Sequence, residues 1–205
     1  MIKKEVGEKM SNVGQIWLDV LGAYLSGYSV KLSASDIARK IGFERRSVSR
    51  VLSRLVKLNL IKYKILGKNK LFYLDLENPK SKILLEIAEN KKSLDFCLHN
   101  TEVFLAIKDL SDVCSSVIVF GSYASGKSKK NSDLDLVVFE CKDKKKIKQI
   151  KENHLININE HYVGYSEFRK LLKKKQALSL EILSNHVVFG DISKIVNLFK
   201  EKNNG

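Results

Sequence analysis

Two aspartates, Asp133 and Asp135, stand at the head of an apolar run, Asp-Leu-Asp-Leu-Val-Val-Phe. Upstream, a second apolar run from Val117 to Phe120 breaks off at Gly121-Ser122, and a lysine-bearing loop joins the two. In a strand, residues i and i+2 share a face. The two carboxylates therefore aim at one point, with Leu134 buried behind them. Carboxylates that close repel unless a cation neutralises them, and hard oxygen ligands with open positions suit Mg²⁺ shared with substrate phosphates. Gly121 lets the backbone approach a phosphate closely. Ser122 adds a hydroxyl, and the amides after it can form an anion-binding nest, especially if a helix begins there. A phosphate cradle facing a metal-binding carboxylate pair is the equipment for nucleotidyl transfer. The plainer reading is a chance Asp-x-Asp after an ordinary Gly-Ser turn.

The element order that positions these residues is strand, Gly-Ser turn, loop, strand. Gly121-Ser122, ten intervening residues and then Asp133-Leu134-Asp135 resemble the motif of the minimal nucleotidyltransferases of the DNA polymerase β superfamily. The resemblance covers about residues 100–200. It implies a small mixed sheet with helices against it and Mg²⁺-dependent transfer of a nucleoside monophosphate, AMP from ATP foremost. It assigns Asp133 and Asp135 to metal binding and catalysis, and Gly121, Ser122 and Lys127 to the nucleotide. Two positions depart from the family pattern. Members often carry arginine where this loop has Ser125; Lys127, Lys129 and Lys130 are the candidates to supply that charge, or they form a solvated loop tip. The family also places a third carboxylate on a later strand, expected here over Leu155–Val163. The aligned position holds Asn159, with Glu160 beside it as the candidate third acid. Strand alternation points these two to opposite faces unless a bulge intervenes. The third acid in such sites helps hold metal and deprotonate the attacking hydroxyl, and asparagine can do little of the second.

Composition fits this reading. The chain has 205 residues, 44% of them hydrophobic, a single proline and a net charge of +14. That suggests one or two globular cores and an anionic partner. The excess is uneven: residues 1–80 hold 16 Lys+Arg against 7 Asp+Glu, and residues 81–205 hold 21 against 16. Cys97, Cys114 and Cys141 lack metal-ligand spacing and read as free thiols of a reducing cytosol. The four histidines are scattered and give no zinc site; His186 reads as structural. No apolar run approaches membrane-spanning length, and the charged opening segment does not resemble a signal peptide. A cytoplasmic protein with no membrane partner is expected.

The basic N-terminal part has its own pattern. Residues 13–29 carry Ile16, Val20 and Leu21, with Trp17 and Leu25 nearby, on one helical face. Ser33 and Asp36 stand at capping-box spacing and open a helix through about Lys40, closed by Gly42. A second helix is predicted over about Arg45–Leu58. Its Val48, Val51, Leu52 and Leu55 follow i, i+3, i+4, i+7, which leaves Arg45, Arg46, Ser49, Arg50, Ser53 and Arg54 toward solvent. Alternating runs at Ile61–Leu66 and Lys70–Leu74 around Gly67-Lys68-Asn69 predict a hairpin. This succession resembles the winged helix-turn-helix of bacterial and archaeal transcription regulators. The resemblance implies that the second helix enters the major groove of double-stranded DNA, with Arg45, Arg46, Ser49 and Arg50 at base edges. Lys68 and Lys70 at the hairpin tip would touch phosphate or minor groove. A protein-binding module or dimerisation platform is the other reading.

The expected architecture is α+β: a winged helix-turn-helix domain over 1–78, mostly α with a β-hairpin wing, a connecting helix over 79–100, and a mixed-sheet α/β nucleotidyltransferase domain over 101–205. Pro79 marks the first boundary. Ile83, Leu84 and Ile87 are candidate dimer contacts, since winged-helix proteins usually read paired half-sites as homodimers. Asn100 caps a helix with Val103, Phe104 and Ile107 inward. The lysine-rich segment 142–153 reads as a helix with a solvated face, or as a polyanion attractor. Ser166 and Asp191 are expected caps of later helices. A chain of this size leaves little room for subdomains that hold a primer, so a protein acceptor is expected over nucleic-acid synthesis, with an aminoglycoside-type small molecule as the other acceptor. Minimal nucleotidyltransferases frequently act as antitoxins that adenylylate a HEPN-type RNase toxin, and the resemblance points there. The alternative is a transcription regulator whose degenerate nucleotidyltransferase domain senses nucleotide or binds a partner.

Overall fold

The computed structural model describes residues 16–154 and 156–202. The charged opening segment, the first three residues of the helix expected over 13–29, and Leu155 at the start of an expected strand lie outside the described residues. The chain divides into two units, one up to Ala88 and one from Glu89 onward. The architecture is α+β.

In the first unit the opening helix (α1, described over 16–22) buries Val20 and Leu21. It stops well short of the expected residue 29. Tyr24, Leu25 and Gly27 donate to the carbonyls of Leu21, Gly22 and Tyr24, so the chain winds into i→i+3 turns that still bury Tyr24, Leu25 and Tyr28. Lys40 fastens these turns through Nζ bonds of 2.7 Å to the Ala23 carbonyl and to Ser26 Oγ. A short strand, β1 (Leu32–Ser33), leads into α2 (Ala34–Ile41). The cap is as expected: Asp36 N–H donates to Ser33 Oγ, while Ser33 N–H and Oγ donate to Asp36 Oδ2. Gly42 closes the helix at φ +71°, a left-handed conformation that glycine adopts without strain. The next helix, α3 (Arg45–Lys57), buries Val48, Val51, Leu52 and Leu55, the face its periodicity predicts. Strands β2 (Ile61–Leu66) and β3 (Asn69–Leu74) form the hairpin, with Leu66 opposite Asn69. The loop is therefore the two residues Gly67-Lys68 rather than three; Gly67 at φ +58° fits the first central position of a type II′ turn. With β1 added, the sheet order is β1-β3-β2.

Helix α4 (Pro79–His99) begins at the proline, where a missing N–H costs nothing, and Asn78 Oδ1 accepts from Lys80 N–H. Its residues from Glu89 on belong to the second unit. There follow α5 (Thr101–Ser111), β4 (Ser116–Val119), the single turn α6 (Gly121–Ala124), β5 (Leu134–Phe139), α7 (Lys144–Asn153) and β6 (Ile158–Val163). The chain closes with α8 (Tyr165–Lys173), α9 (Ala177–Ser184), β7 (Val187–Gly190) and α10 (Ile192–Glu201). Gly164, not Ser166, is the residue before α8, whereas Asp191 caps α10 as expected.

The sheet order is β6-β5-β4-β7, with β4 antiparallel to both neighbours and β5 parallel to β6 through the α7 crossover. One face packs Val117, Val119, Leu134, Leu136, Val138 and Ile158 against apolar residues of α5 and α7, among them Ile107, Leu110, Ile147 and Ile150. On the other face Phe139 stacks on Tyr165 and meets Phe168 edge-on. His186 is structural. Its Nε2 lies 3.0 Å from Glu89 Oε1 and its Nδ1 2.8 Å from the Ile182 carbonyl, with both side chains fully buried.

One expectation fails here. Cys114 and Cys141 form a disulfide, and only Cys97 is a free thiol. The β4–β5 register pairs Ser116 with Phe139; continued two residues outward, it sets Cys114 opposite Cys141, with Cα atoms 4.0 Å apart. Sequence spacing alone cannot reveal a cross-strand neighbour. The pairing removes the free-thiol argument for a reducing compartment.

Candidate active site

The carboxylates and the glycine turn meet at one end of the second sheet, where β4 ends and β5 and β6 begin. Phe120 N–H donates to the Asp135 carbonyl at 3.0 Å, which carries the β4–β5 ladder one step past the strand. The chain then turns at Gly121, φ +67°, and α6 begins there. A Cβ at position 121 would stand 2.5 Å from Asp135 Oδ2. Glycine is thus demanded twice, by its backbone conformation and by the carboxylate against it. Ser122 lies in the first turn of α6, where backbone N–H groups have no partner within the helix. Its carbonyl accepts from Lys127 N–H at 2.9 Å and from Ser125 Oγ at 3.0 Å. These bonds fold the loop back on α6 and leave the Lys127 side chain exposed.

Asp135 is the second residue of β5 and half-buried; Asp133 is the residue before the strand and exposed, and Leu134 between them is fully buried. Asp133 borders a surface depression with Lys151, Ile156, Asn157, Ile158 and Asn159. The β5–β6 register sets Asn159 directly beside Asp135, and Asn159 Nδ2 donates to Asp135 Oδ1 at 3.0 Å. Asn159 therefore stands beside Asp135 at this sheet end.

Glu160 is not brought to the pair. The register runs unbroken from Ile158 to Val163, so no bulge rotates it, and it shares the face of Ile158 and Leu136. There it is paired with Lys151 Nζ of α7 and lines a separate depression with Lys148, Glu152 and Tyr162. This places it on the opposite face of the sheet from Asp135. Burial, and secondarily the Glu160 charge, pushes the Tyr162 hydroxyl pKa up. His161, which the sequence reading left unassigned, shares the face of Asn159, two residues on, and its ring lies 5.9 Å from that of Phe120. Its signal was the i+2 step from Asn159 along a strand.

Residues 102–202 match the family model of the nucleotidyltransferase domain. The match spans the whole sheet end just described and supports a nucleotidyl transfer role for this part of the chain. No curated protein and no solved structure matches the chain. Among the described residues, no group of three or more His, Cys, Asp and Glu side chains could hold a metal ion. The two hard carboxylates at this sheet end that could hold such an ion are Asp133 and Asp135. That fits Mg²⁺ if phosphate oxygens and water complete its six ligands. No helix among the described residues is long and apolar enough to cross a membrane.

In the first unit, Arg45, Arg46 and Arg50 of α3 are exposed and Ser49 is half-buried. Arg46, Ser49, Arg50, Ser53, Arg54 and Lys57 line one continuous depression along the helix. Arg54 is not simply solvated: its guanidinium lies 5.6 Å from the centre of the Trp17 ring. Lys68 sits in the hairpin turn, while Lys70 Nζ lies 3.5 Å above the Tyr63 ring, a cation–π contact that holds it on the hairpin face.

Proposed function

We propose that this protein is a Mg²⁺-dependent nucleotidyltransferase that moves a nucleoside monophosphate, AMP from ATP, onto a protein acceptor, and that its N-terminal unit is a DNA-binding winged helix. The first part rests above all on the seating of Asp135 against Gly121 at the sheet end, within the segment that matches the nucleotidyltransferase family. In this reading Asp133 and Asp135 hold the ion, which when bound offsets triphosphate charge and activates the α-phosphate for in-line attack. The first-turn amides of α6 and the Ser122 hydroxyl bind phosphate oxygens, and Lys127 adds positive charge from the loop. The resemblance to minimal nucleotidyltransferases suggests a HEPN-type toxin as acceptor, with the chain as its antitoxin.

The DNA-binding part is supported by the exposed arginines of α3 and the lysines of the hairpin. Arg45, Arg46, Ser49 and Arg50 would read base edges, with Lys68 and Lys70 on the backbone. We infer a homodimer, for which the exposed Ile83 and Ile87 are contact candidates; Leu84 is half-buried.

A second reading is favoured by a specific observation. Asn159 donates to Asp135 where an acid would accept a proton, and Glu160 faces away. A regulator that binds nucleotide without transferring it fits that arrangement. Transfer of label from α-labelled ATP with Mg²⁺, with and without proteins encoded beside this one, separates the two. Label on a partner protein, lost on Asp133→Ala with Asp135→Ala, supports the enzyme. Nucleotide binding with no transfer to any partner supports the regulator.

A further inference from the structure

Both oxygens of the Asp135 carboxylate have close neighbours. Oδ1 accepts the Asn159 amide at 3.0 Å, and Oδ2 lies against Gly121, where even a Cβ would come within 2.5 Å. The contact with Asn159 is imposed by the backbone, because the parallel β5–β6 register sets the two residues side by side. An amide N–H and a metal cation seek the same carboxylate lone pairs. Asn159 therefore takes up part of the ligating capacity of one of the two acids at this sheet end and contributes no charge in return. The neighbouring acid on β6 cannot compensate, since Glu160 is on the opposite face and paired with Lys151. Two carboxylates, one of them already engaged, leave most of the ligands of a hard divalent cation to be supplied by something else.

We propose that Asn159 limits the site to one divalent ion and makes binding of that ion depend on the nucleotide. The triphosphate supplies the missing oxygens, so ion and nucleotide enter together. A second ion finds no third carboxylate from β6 beside Asp133 and Asp135. Asn159 is in this sense a positioning residue: it fixes the Asp135 carboxylate and sets how many ions the site accepts. The inference rests on the nucleotidyltransferase reading of the domain.

The test counts bound Mn²⁺ by electron paramagnetic resonance on the full chain, with and without a non-hydrolysable ATP analogue, for wild type and for Asn159→Asp. Analogue binding is measured separately by calorimetry. Wild type is expected to take up one Mn²⁺ per chain with the analogue and little without it. Asn159→Asp puts a third carboxylate beside Asp135. It should bind Mn²⁺ about tenfold more tightly in the absence of nucleotide, as added ligand charge raises affinity, and take up a second ion in its presence. Two ions in nucleotide-loaded wild type would overturn the proposal whatever the variant does. Unchanged Mn²⁺ binding in Asn159→Asp, with analogue bound by both proteins, would overturn it and leave the nucleotidyltransferase reading standing. Failure of both proteins to bind the analogue would overturn that reading and the proposal with it.

Discussion

Gly121 and Asp135 stand in close contact and constrain each other. Gly121→Ala adds a methyl 2.5 Å from Asp135 Oδ2 at a backbone φ of +67°. The left-handed conformation alone costs an L-residue about 1–2 kcal/mol, and the domain should still fold. The carboxylate, however, must move, and a displacement of about 1 Å in a reacting group costs about a hundredfold in rate. On the proposed nucleotidyltransferase reading, transfer activity is expected to fall by about that factor while the melting temperature drops by only a few degrees; an alanine variant with wild-type transfer would show that Asp135 does not need this seat. The Cys114–Cys141 bond makes a second local claim. It closes a loop with a sequence separation of 27, which in the chain-entropy account stabilises the fold by about 3.5 kcal/mol. Urea unfolding with and without reductant should differ by that amount, and Cys97→Ser should leave the difference unchanged.

The caps at Ser33 and Asp191 were readable because each is written in a few adjacent residues. The Ser33–Asp36 box shows how far such a reading goes. The Ser33 hydroxyl, and then its backbone N–H, donate to the Asp36 carboxylate and hold its pKa below the usual carboxylate range. Because the folded pKa is depressed, the stabilisation is fully present above the unfolded value of about 4 and is lost as pH falls through the folded one. Ser33→Ala should therefore cost about 1 kcal/mol at neutral pH. That penalty should shrink in acid as Asp36 protonates; thermal melts of both proteins from neutral to acid pH would show the two curves converge, and a pH-independent gap would count against the carboxylate's part. Features that depend on how strands pair were less legible. Glu160 and Asn159 are adjacent in sequence, and only the unbroken β5–β6 register decides that Asn159 alone reaches Asp135. The disulfide follows from the β4–β5 register in the same way. The Lys40 bonds that fasten the turns after α1 and the pairing of β1 with β3 likewise involve residues far along the chain. By contrast, the strand–turn–strand unit around Asp133 and Asp135 was visible because its apolar runs, glycine and acids lie within one short stretch.

The two units carry charge unequally, and that asymmetry bears on what the whole molecule binds. Residues 1–80 have a surplus of 9 positive charges, from 16 Lys+Arg against 7 Asp+Glu. On α3 Arg46, Arg50 and Arg54 lie along one exposed depression while the apolar residues face the core. Such a surface attracts any polyanion, so affinity at one salt concentration says little. The slope of affinity against salt says more. Each phosphate neutralised on duplex DNA contributes about −0.9 to the slope of log K against log salt. If the three exposed arginines Arg45, Arg46 and Arg50 and the hairpin lysines Lys68 and Lys70 all engage DNA, with some reading bases rather than phosphates, a slope of about −3 to −4 is expected. Lys68→Ala should reduce its magnitude by about 1 and weaken binding to all sequences alike, because a phosphate contact carries no sequence information. Arg50→Ala should weaken the preferred sequence by about 1–3 kcal/mol and unrelated DNA much less. Fluorescence anisotropy titrations over a range of salt would separate these effects. A slope near zero for wild type, or equal losses on all DNA for Arg50→Ala, would move the α3 surface from sequence recognition to a protein-binding role and leave the chemistry of the second unit untouched.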